Sequence, residues 1–419
     1  MDNERDVAQL LLVAGTAAQI ILENGAETYR VEDTVLRICR SYGYKQADVL
    51  AFSTGVSISV TENARSQAII RRIRQRTLRL DKVNQVNDLS RRIAEGSIPL
   101  EDALDKLHTI NNTATDNYWF QGLFAALSSG FFTIMFGGGL PEFFIGGICG
   151  GLAQLAGTVV NRKVASSYMI LPGLLGGLIC SLVAMGAFFA FHLSTQSVEA
   201  IISGAIMPLV TGLLMTNAVR DLMRGDLVSS LARGAEALLA TIMVALGVML
   251  LLRIYLPTEV STDPAMPNWL VATIAAGLGS LFYTRLIYTP KASIWLSAFI
   301  ALVSYGLYAL LKSVLLWNDT LCLFLYAFTA ALFCEIAAKY TKMIATVYLS
   351  AALVPLVPGI TLYRTIRELI FGNSAEASRL GLSAAIIVGT LALGVALGSM
   401  VISMCKHIAA ATEKRNSLK

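Results

Sequence analysis

Charged side chains are scarce in this sequence and unevenly distributed. Asp, Glu, Lys and Arg make up 15% of the 419 residues, whereas 55% are hydrophobic. A soluble globular domain carries about 25% charged residues. The deficit begins near Trp119, where apolar runs approach the roughly 20 residues that span a bilayer, whereas residues 1–116 have an ordinary charge content. The sequence therefore predicts a membrane protein with a soluble N-terminal third.

Histidine clusters, paired cysteines and nucleotide-binding motifs are also lacking. The three histidines are isolated, and the six cysteines form no C-x-x-C pair, so we expect no metal site and cysteines that pack as small apolar residues. P-loop, H-E-x-x-H and G-x-S-x-G motifs are absent from the sequence, and no cofactor is expected. The net charge of +5 requires no nucleic-acid partner, because membrane proteins retain Lys and Arg on the cytoplasmic side.

A basic segment is missing before the first apolar run. Asp2, Glu4 and Asp6 precede residues 10–22, whereas a signal peptide begins with a basic region. The run ends at "ENG", which predicts a helix whose C-terminal cap is Gly25.

Alternating helical and strand patterns make residues 1–116 a small α+β domain. Helical spacing, β-branched runs and Gly or Pro at the ends predict helices over 4–23, 26–42, 82–95 and 99–110 and strands over 49–54, 56–61 and 66–78. Pro99 is predicted to be the first residue of its helix. The stretch "GGGLPE" (137–142), between two apolar runs, is predicted to be a turn.

The third predicted strand is rich in arginine. The arginines in and beside it are Arg71, Arg72, Arg74, Arg76 and Arg79, of which Arg72, Arg74 and Arg76 share one face by strand alternation. This face could meet anionic lipid headgroups, or it could be a solvated face of the sheet.

The stretch "GAETYRVE" concentrates polar side chains in the first turns of the second helix. Its candidate functional residues are Gly25, Glu27, Thr28, Tyr29, Arg30 and Glu32. A glutamate beside a tyrosine and an arginine could bind a ligand or transfer protons. The alternative is an acidic residue favoured by the helix dipole together with surface charges.

Ten apolar runs follow, and positive residues orient them. The predicted spans are 119–139, 142–160, 168–191, 198–217, 232–254, 268–287, 292–312, 317–338, 344–363 and 380–404. Lys and Arg collect after the even-numbered spans, which places both termini in the cytoplasm. The exception is the loop after span nine, with Arg364, Arg367 and Arg379. The predicted regions are 1–116 (cytoplasmic domain), 117–257 and 268–405 (two five-helix repeats), 258–267 (extracytoplasmic linker) and 406–419 (cytoplasmic tail).

An internal repeat explains that exception. At a spacing of 147 residues the aligned pairs are Pro208 and Pro355, Leu209 and Leu356, Val210 and Val357, Gly212 and Gly359, Arg220 and Arg367, Asp221 and Glu368, Leu222 and Leu369, Gly225 and Gly372, Gly234 and Gly381, and Gly247 and Gly394. Each half has five spans, an odd number, so the halves predict an inverted repeat of the kind found in alternating-access carriers. The loop after span nine copies the loop after span four.

The repeated prolines predict broken helices near the middle of the membrane. Proline frees a carbonyl inside a helix, and glycine lets a backbone or ligand approach closely. Broken helices expose backbone groups, which is tolerable where they line a cavity. The candidate substrate-binding residues are Pro208, Thr211, Gly212, Thr216, Asn217, Pro355, Pro358, Gly359 and Thr361. The alternative is a pair of kinked packing helices.

Charged residues of the repeat suggest gates. Twelve residues of helix beyond each proline, at ~1.5 Å per residue, place Arg220 at the inner mouth and Arg367 at the outer mouth. Neighbouring residues do not face each other on a helix, so we expect each arginine to pair with an acid other than the adjacent Asp221 or Glu368. Direct contact with a substrate carboxylate is the alternative.

Two acids within apolar spans are candidates for proton coupling. Glu335 lies inside span eight, and Glu236 is a weaker candidate of the same kind. An ionisable residue at such a position is by default a functional hypothesis.

Three stretches together resemble the threonine/serine exporter family. They are "GAETYRVE", "SGAIMPLVTGLLMTNAVRDLMRGD" (203–226) and "LVPLVPGITLYRTIRELIFG" (353–372). The resemblance covers nearly the whole chain and implies a ten-span carrier of the prokaryotic inner membrane. In some members the halves are separate proteins, a pair associated with succinate export, whereas here they are fused as in the amino-acid exporters. The family label also suggests hydrolase-like activity in the N-terminal region, for which we find no arrangement of nucleophile and base.

The leading interpretation is a secondary exporter of threonine and serine, driven by the proton gradient since no nucleotide-binding motif is present. A dicarboxylate exporter is the alternative at the level of substrate. A membrane-anchored enzyme acting through "GAETYRVE" is the alternative from another class, and a signalling scaffold a third. The expected partners are a small amino acid or carboxylate, protons and the lipid bilayer, and a homo-oligomer is compatible with the sequence.

Overall fold

The computed structural model describes residues 2–62, 65–73, 76–163, 171–210, 212–255 and 267–416. It is mostly helical and has one small sheet. The chain divides into two compact units. The first unit comprises Met1–Asp116, Asn217–Ala235 and Ile287–Pro290, and the second comprises Asn117–Thr216, Glu236–Leu286 and Lys291–Lys419.

The first unit is built around its N-terminal helix. Its elements are α1 (Asp2–Glu23), α2 (Thr28–Ser41), β1 (Ala47–Phe52), β2 (Gly55–Glu62), β3 (Arg65–Arg72), α3 (Leu80–Ala94) and α4 (Leu100–Asn111). The apolar side chains of α1, such as Leu10, Val13 and Ile20, are buried, and the helix packs against α2, α3, α4 and the sheet. These elements confirm the predicted α+β character of this region.

The sheet is antiparallel in the order β1-β2-β3. Val56, Ile58 and Val60 alternate along β2 and are buried. The prediction that the third strand continues to Leu78 is wrong, because β3 ends at Arg72, which pairs with Gly55, the first residue of β2.

Of the predicted row of arginines, Arg72 belongs to β3 and Arg74 lies outside the described residues. Arg76 instead donates a hydrogen bond to the carbonyl of Ser53 at 2.6 Å, and Arg79 pairs with Asp81 at 2.7 Å.

One helix start also differs from the prediction. Pro99 is the N-cap residue before α4, with φ −70° and ψ 160°, and not the first helical residue. Its extended ψ places it outside the helix, and its carbonyl accepts the first helical hydrogen bond from Ala103.

The second unit and the segments leading into it are helical. The elements are α5 (Tyr118–Met135), α6 (Leu140–Lys163), α7 (Leu171–Phe191), α8 (Thr195–Ile206), α9 (Gly212–Met223), α10 (Leu227–Tyr255), α11 (Trp269–Leu286), α12 (Ile294–Ser313), α13 (Asp319–Thr341), α14 (Ala345–Leu353), α15 (Gly359–Phe371) and α16 (Ser374–Asn416). Residues 137–139 form the predicted turn between α5 and α6, with Gly137 at φ +92°.

Eight helices among the described residues are long and apolar enough to cross a membrane, and a bent pair would make nine. One of the eight is Asp6–Glu23 of α1. Seven others correspond to predicted spans two, three, five to eight and ten. The chain is thus a multi-pass membrane protein by the length and composition of its helices, and the count of ten stays a prediction.

The two helices that carry the repeated prolines are both interrupted. The fourth predicted span divides into α8 and α9, which are separated by residues 207–211, with Thr211 outside the described residues. The ninth divides into α14, a 3-10 turn over Val354–Leu356, and α15, with a bend of 42°. A proline offers no N–H to the preceding turn, so each helix ends close to its proline.

Candidate functional site

The first acidic residue of the N-terminal motif, Glu27, has a buried side chain. Gly25 adopts φ +90° and ends α1. Glu27 is the N-cap residue of α2, but its side chain makes no capping hydrogen bond. This side chain is 0% exposed and lies 2.9 Å from Nε of Arg30. Its other oxygen accepts a hydrogen bond from Arg220, which lies in α9.

The rest of the motif also binds the segment that follows the first helix break. Nδ2 of Asn217 donates to the carbonyl of Gly25 at 3.0 Å, and Nη2 of Arg233 donates to the carbonyl of Ala26 at 2.7 Å. Asp221 accepts from the hydroxyl of Thr28 at 3.1 Å and lies 3.3 Å from Nε of Arg233. We call the following set the Glu27 cluster: Glu27, Thr28, Arg30, Asn217, Arg220, Asp221 and Arg233.

Two further residues of the N-terminal motif, Tyr29 and Glu32, make contacts beside the Glu27 cluster. The guanidinium of Arg224 lies over the ring of Tyr29, 3.6 Å from the centroid. Glu32 accepts a hydrogen bond from the backbone N–H of Ala51 at 3.2 Å, and burial raises the pKa of its carboxyl. All of these residues belong to the first unit. The sequence singled out the motif and the repeat separately, and the structure brings them together.

The Glu27 cluster contains two acids and three arginines. Burying charges is costly unless each is paired and hydrogen-bonded. Burial raises the pKa of Asp221 to about 6, against the opposing effect of the nearby Arg233 and of the Thr28 hydrogen bond. Asp221 lies beyond the predicted fourth span, on the side of the N-terminal domain.

We expect the stability of the protein to fall between about pH 4 and pH 6 as Asp221 ionises. Its folded pKa lies above its ordinary value, so its contribution is present at low pH and lost as pH rises through 6. The loss should be about 2 kcal/mol between pH 4.5 and 7. Thermal unfolding of the wild type and Asp221→Asn at both pH values checks this. The variant should show a smaller drop, whereas substitution of the exposed Asp33 by Asn should leave the drop unchanged.

A second charged cluster surrounds Glu199 in the second unit. Glu199 lies in the first half of α8, the helix that ends at the first break, and is buried. Its two oxygens lie 3.0 Å from Nε of Arg364 and 2.9 Å from Nη1 of Arg367. Arg367 also lies 3.0 Å from Glu368, which accepts from Nδ2 of Asn373 at 2.8 Å. We call Glu199, Arg364, Arg367, Glu368 and Asn373 the Glu199 cluster.

Both repeat arginines pair with an acid other than the adjacent one, as expected. Arg220 pairs with Glu27. Arg367 pairs with Glu199 and also contacts the adjacent Glu368, which the helix argument did not anticipate. A guanidinium has five N–H donors in a fork and can therefore reach acids in two directions.

Glu199 was not among the candidate residues predicted from the sequence. It lies within the predicted fourth span, so the argument that singled out Glu335 applies equally to it. Glu335 lies in α13 and Glu236 in α10, both partly exposed. Neither lines the cavity of the second unit described next.

A cavity of 640 Å³ lies in the second unit at the second helix break. The predicted residues Pro355, Pro358 and Thr361 line it, together with Arg364 of the Glu199 cluster. Its other polar lining residues are Tyr305, Tyr308, Lys312, Ser313 and Asp319. Nζ of Lys312 lies 2.8 Å from Asp319, which also accepts from the hydroxyl of Tyr308 at 3.0 Å. This volume lies in the range of small-molecule sites, about 300–1,000 Å³.

The two helix breaks touch each other. A Cβ atom added to Gly359 would lie 2.3 Å from Cγ1 of Val210, so only glycine allows this approach. Met207, beside Pro208, also lines the cavity. Thr211 lies outside the described residues. Gly212 begins α9 and Thr216 belongs to it, but their immediate surroundings are likewise outside the description.

Metal and thiol chemistry find little support in the part of the chain that the structure describes. There, no group of three or more His, Cys, Asp or Glu side chains could hold a metal ion. The six cysteines are free thiols, and five of them are buried.

Known proteins resemble the chain along nearly its whole length. The family model described as "Putative threonine/serine exporter" matches residues 12–255, and the model described as "Threonine/Serine exporter, ThrE" matches residues 269–401. A protein of Mycobacterium tuberculosis described as "Probable threonine/serine exporter" is 22% identical over 414 residues, covering 93% of this chain and 76% of its own. No solved structure matches the chain.

Proposed function

Because the chain belongs to the threonine/serine exporter family, we propose that it exports threonine and serine by alternating access around the two broken helices. One observation carries this proposal: the 640 Å³ cavity reaches the second break, and the second break touches the first at Gly359 and Val210. A carrier needs a site that both halves of the repeat share, and two touching breaks provide one.

The inverted five-plus-five repeat is part of the proposal, and repeated helix contacts support it. In the first half α5 packs on α6, and α8 packs on α6 and α7. In the second half α11 packs on α12, and α14 packs on α12 and α13. Close approach recurs at aligned glycines: a Cβ on Gly247 would lie 2.2 Å from the carbonyl of Leu174, and one on Gly394 would lie 2.8 Å from that of Phe324.

We assign the two charged clusters to the two gates of this cycle. The Glu27 cluster contains the first repeat arginine and is the inner gate, and the Glu199 cluster contains the second and is the outer gate. The first unit supports this sidedness, since it joins residues 1–116 with segments after the fourth and sixth predicted spans. The predicted topology puts all three in the cytoplasm of a prokaryotic cell, beneath the inner membrane.

The cavity's mixed charges suit a zwitterionic amino acid. Arg364 offers a guanidinium for a carboxylate, and Asp319 offers a carboxylate for an ammonium group. A dicarboxylate would need both cations of the cavity, Arg364 and Lys312, and would draw Lys312 away from Asp319, to which it is paired at 2.8 Å. Family membership indicates a transporter rather than an enzyme. Coupling to protons through Glu335 or Glu236 and assembly as a homo-oligomer stay predictions.

Efflux from cells preloaded with labelled threonine, serine or succinate tests the proposal. Cells with the protein should lose threonine and serine faster than cells without it, and an uncoupler should remove the difference. Thr361→Val should raise the half-saturating threonine concentration about fivefold, since one hydrogen bond contributes about 1 kcal/mol.

Thr365→Val is the matched control for that variant. Its hydroxyl binds the carbonyl of Thr361 at 2.8 Å, one turn further along α15, and Thr365 does not line the cavity. Efflux of succinate alone would show that the substrate is a dicarboxylate and not an amino acid. Efflux of none of the three from correctly inserted protein would overturn the proposal.

A further inference from the structure

The two repeat arginines obtain their carboxylates from different sources. Arg367, in the second half, pairs with Glu199 of the first half. The residue that follows Glu199 by the repeat spacing of 147 is Thr346, which is uncharged. If the halves pack symmetrically, the second half therefore offers Arg220 no acid at this position.

Glu27 supplies a carboxylate to Arg220 instead. It lies 193 residues away along the chain, in the N-terminal domain, and its side chain is fully buried. A buried carboxylate without a counter-charge is strongly destabilising, so the pairing of Glu27 is energetically important.

The backbone around Glu27 holds the same segment. The carbonyls of Gly25 and Ala26 accept from Asn217 and Arg233, and Thr28 donates to Asp221. Four consecutive motif residues thus bind α9 and the first turns of α10. Buried polar networks of this kind specify one arrangement of the elements they join.

From this asymmetry we propose that the N-terminal domain is a working part of the transporter, in which Glu27 is the positioning residue that locks Arg220 and closes the inner gate. The inference rests on the proposed exporter function and assigns a role in it to the domain. In alternating access the two gates are not open together. Removing the lock therefore favours the state in which the inner gate is open and the cavity is closed to the outside.

Thiol labelling of the cavity tests this without substrate. Ala309 lines the cavity in α12, and Cys405 is the exposed cysteine among the described residues. The parent protein for the test carries Ala309→Cys and Cys405→Ser in right-side-out membrane vesicles, where a membrane-impermeant maleimide reaches the outer face only. Adding Glu27→Gln should slow labelling about fivefold or more, as expected for a population shift of roughly 1 kcal/mol.

Two further variants make the result decisive. Arg220→Gln removes the same ion pair from the other side and should slow labelling equally. Glu32→Gln is the matched control, since this carboxylate lies in the same motif but binds the backbone of Ala51 within the domain. It should leave the rate unchanged within about twofold.

A mere folding role for Glu27 would leave the cavity's accessibility unchanged, because the reporter lies in the other compact unit. Labelling at the parent rate in folded Glu27→Gln or folded Arg220→Gln protein would overturn the inference. Failure of the wild type to export threonine would overturn the exporter proposal instead, and the labelling result would stand independently of it.

Discussion

Replacing Arg367 with alanine is expected to abolish threonine efflux. The side chain of Arg367 is 3% exposed and contacts Glu199 and Glu368, both of which are buried. Removing one partner of a buried ion pair costs about 3–5 kcal/mol, because the remaining charge is left without compensation. Here two carboxylates lose a partner, so the outer gate should lose its closed arrangement. Initial rates of labelled threonine efflux, at equal amounts of inserted protein, measure the effect.

The control for this prediction is an arginine in the next helix. Arg379 is 67% exposed and pairs with Glu376, one turn away in α16. Exposed pairs of this kind contribute about 0–1 kcal/mol, so Arg379→Ala should retain most of the efflux. Equal efflux by Arg367→Ala and the wild type would show that the Glu199 cluster has no part in transport.

The neighbouring acid gives a second check on the same cluster. Glu199→Gln leaves Arg364 and Arg367 with a neutral partner and should also lower efflux. In the double variant Glu199→Gln and Arg367→Gln the cluster keeps one arginine and one acid and is again neutral, so its protein yield should exceed that of either single variant. Additive losses in the double variant would contradict a direct interaction between the two residues.

Replacing Gly359 with alanine is expected to have the second largest effect. The added Cβ would lie 2.3 Å from Cγ1 of Val210 and 2.9 Å from its Cβ, which is far inside van der Waals contact. Overpacking of this kind costs about 1–3 kcal/mol and displaces backbone. The displaced backbone here belongs to both helix breaks, so efflux should fall at least tenfold, as roughly 1.4 kcal/mol in the transport barrier would produce.

The matched control is another helical glycine. A Cβ on Gly389 of α16 meets no atom within 4 Å, so Gly389→Ala should keep full efflux. Val210→Ala removes the nearest clashing atom and should restore part of the efflux of Gly359→Ala. Undiminished efflux in Gly359→Ala would show that the two breaks do not need this close contact, which would remove the main support for a shared site.

Local sequence patterns were sufficient to predict much of the secondary structure of this protein. Helical spacing and capping glycines identified α1 and α2, and alternation identified β1 and β2, because these features depend on residues a few positions apart. The repeated Pro and Gly residues predicted breaks, and the structure has an interruption at both sites, because a missing N–H acts within one turn. For the same local reason, length and composition identified seven helices that could cross a membrane, but not α1, which the sequence placed in the soluble domain.

Contacts between distant segments required the tertiary structure. No spacing rule connects Glu27 with Arg220, or Glu199 with Arg367 across 168 residues, since either arginine could have paired with any acid that packing brought near it. The end of β3 at Arg72 likewise depends on where its partner β2 begins. The sequence alone determined which residues carry charge, where a missing N–H can interrupt a helix and which family the chain resembles. Only packing decided which charges meet and where a cavity opens, because pairing and enclosed volume are properties of several segments at once and not of any one of them.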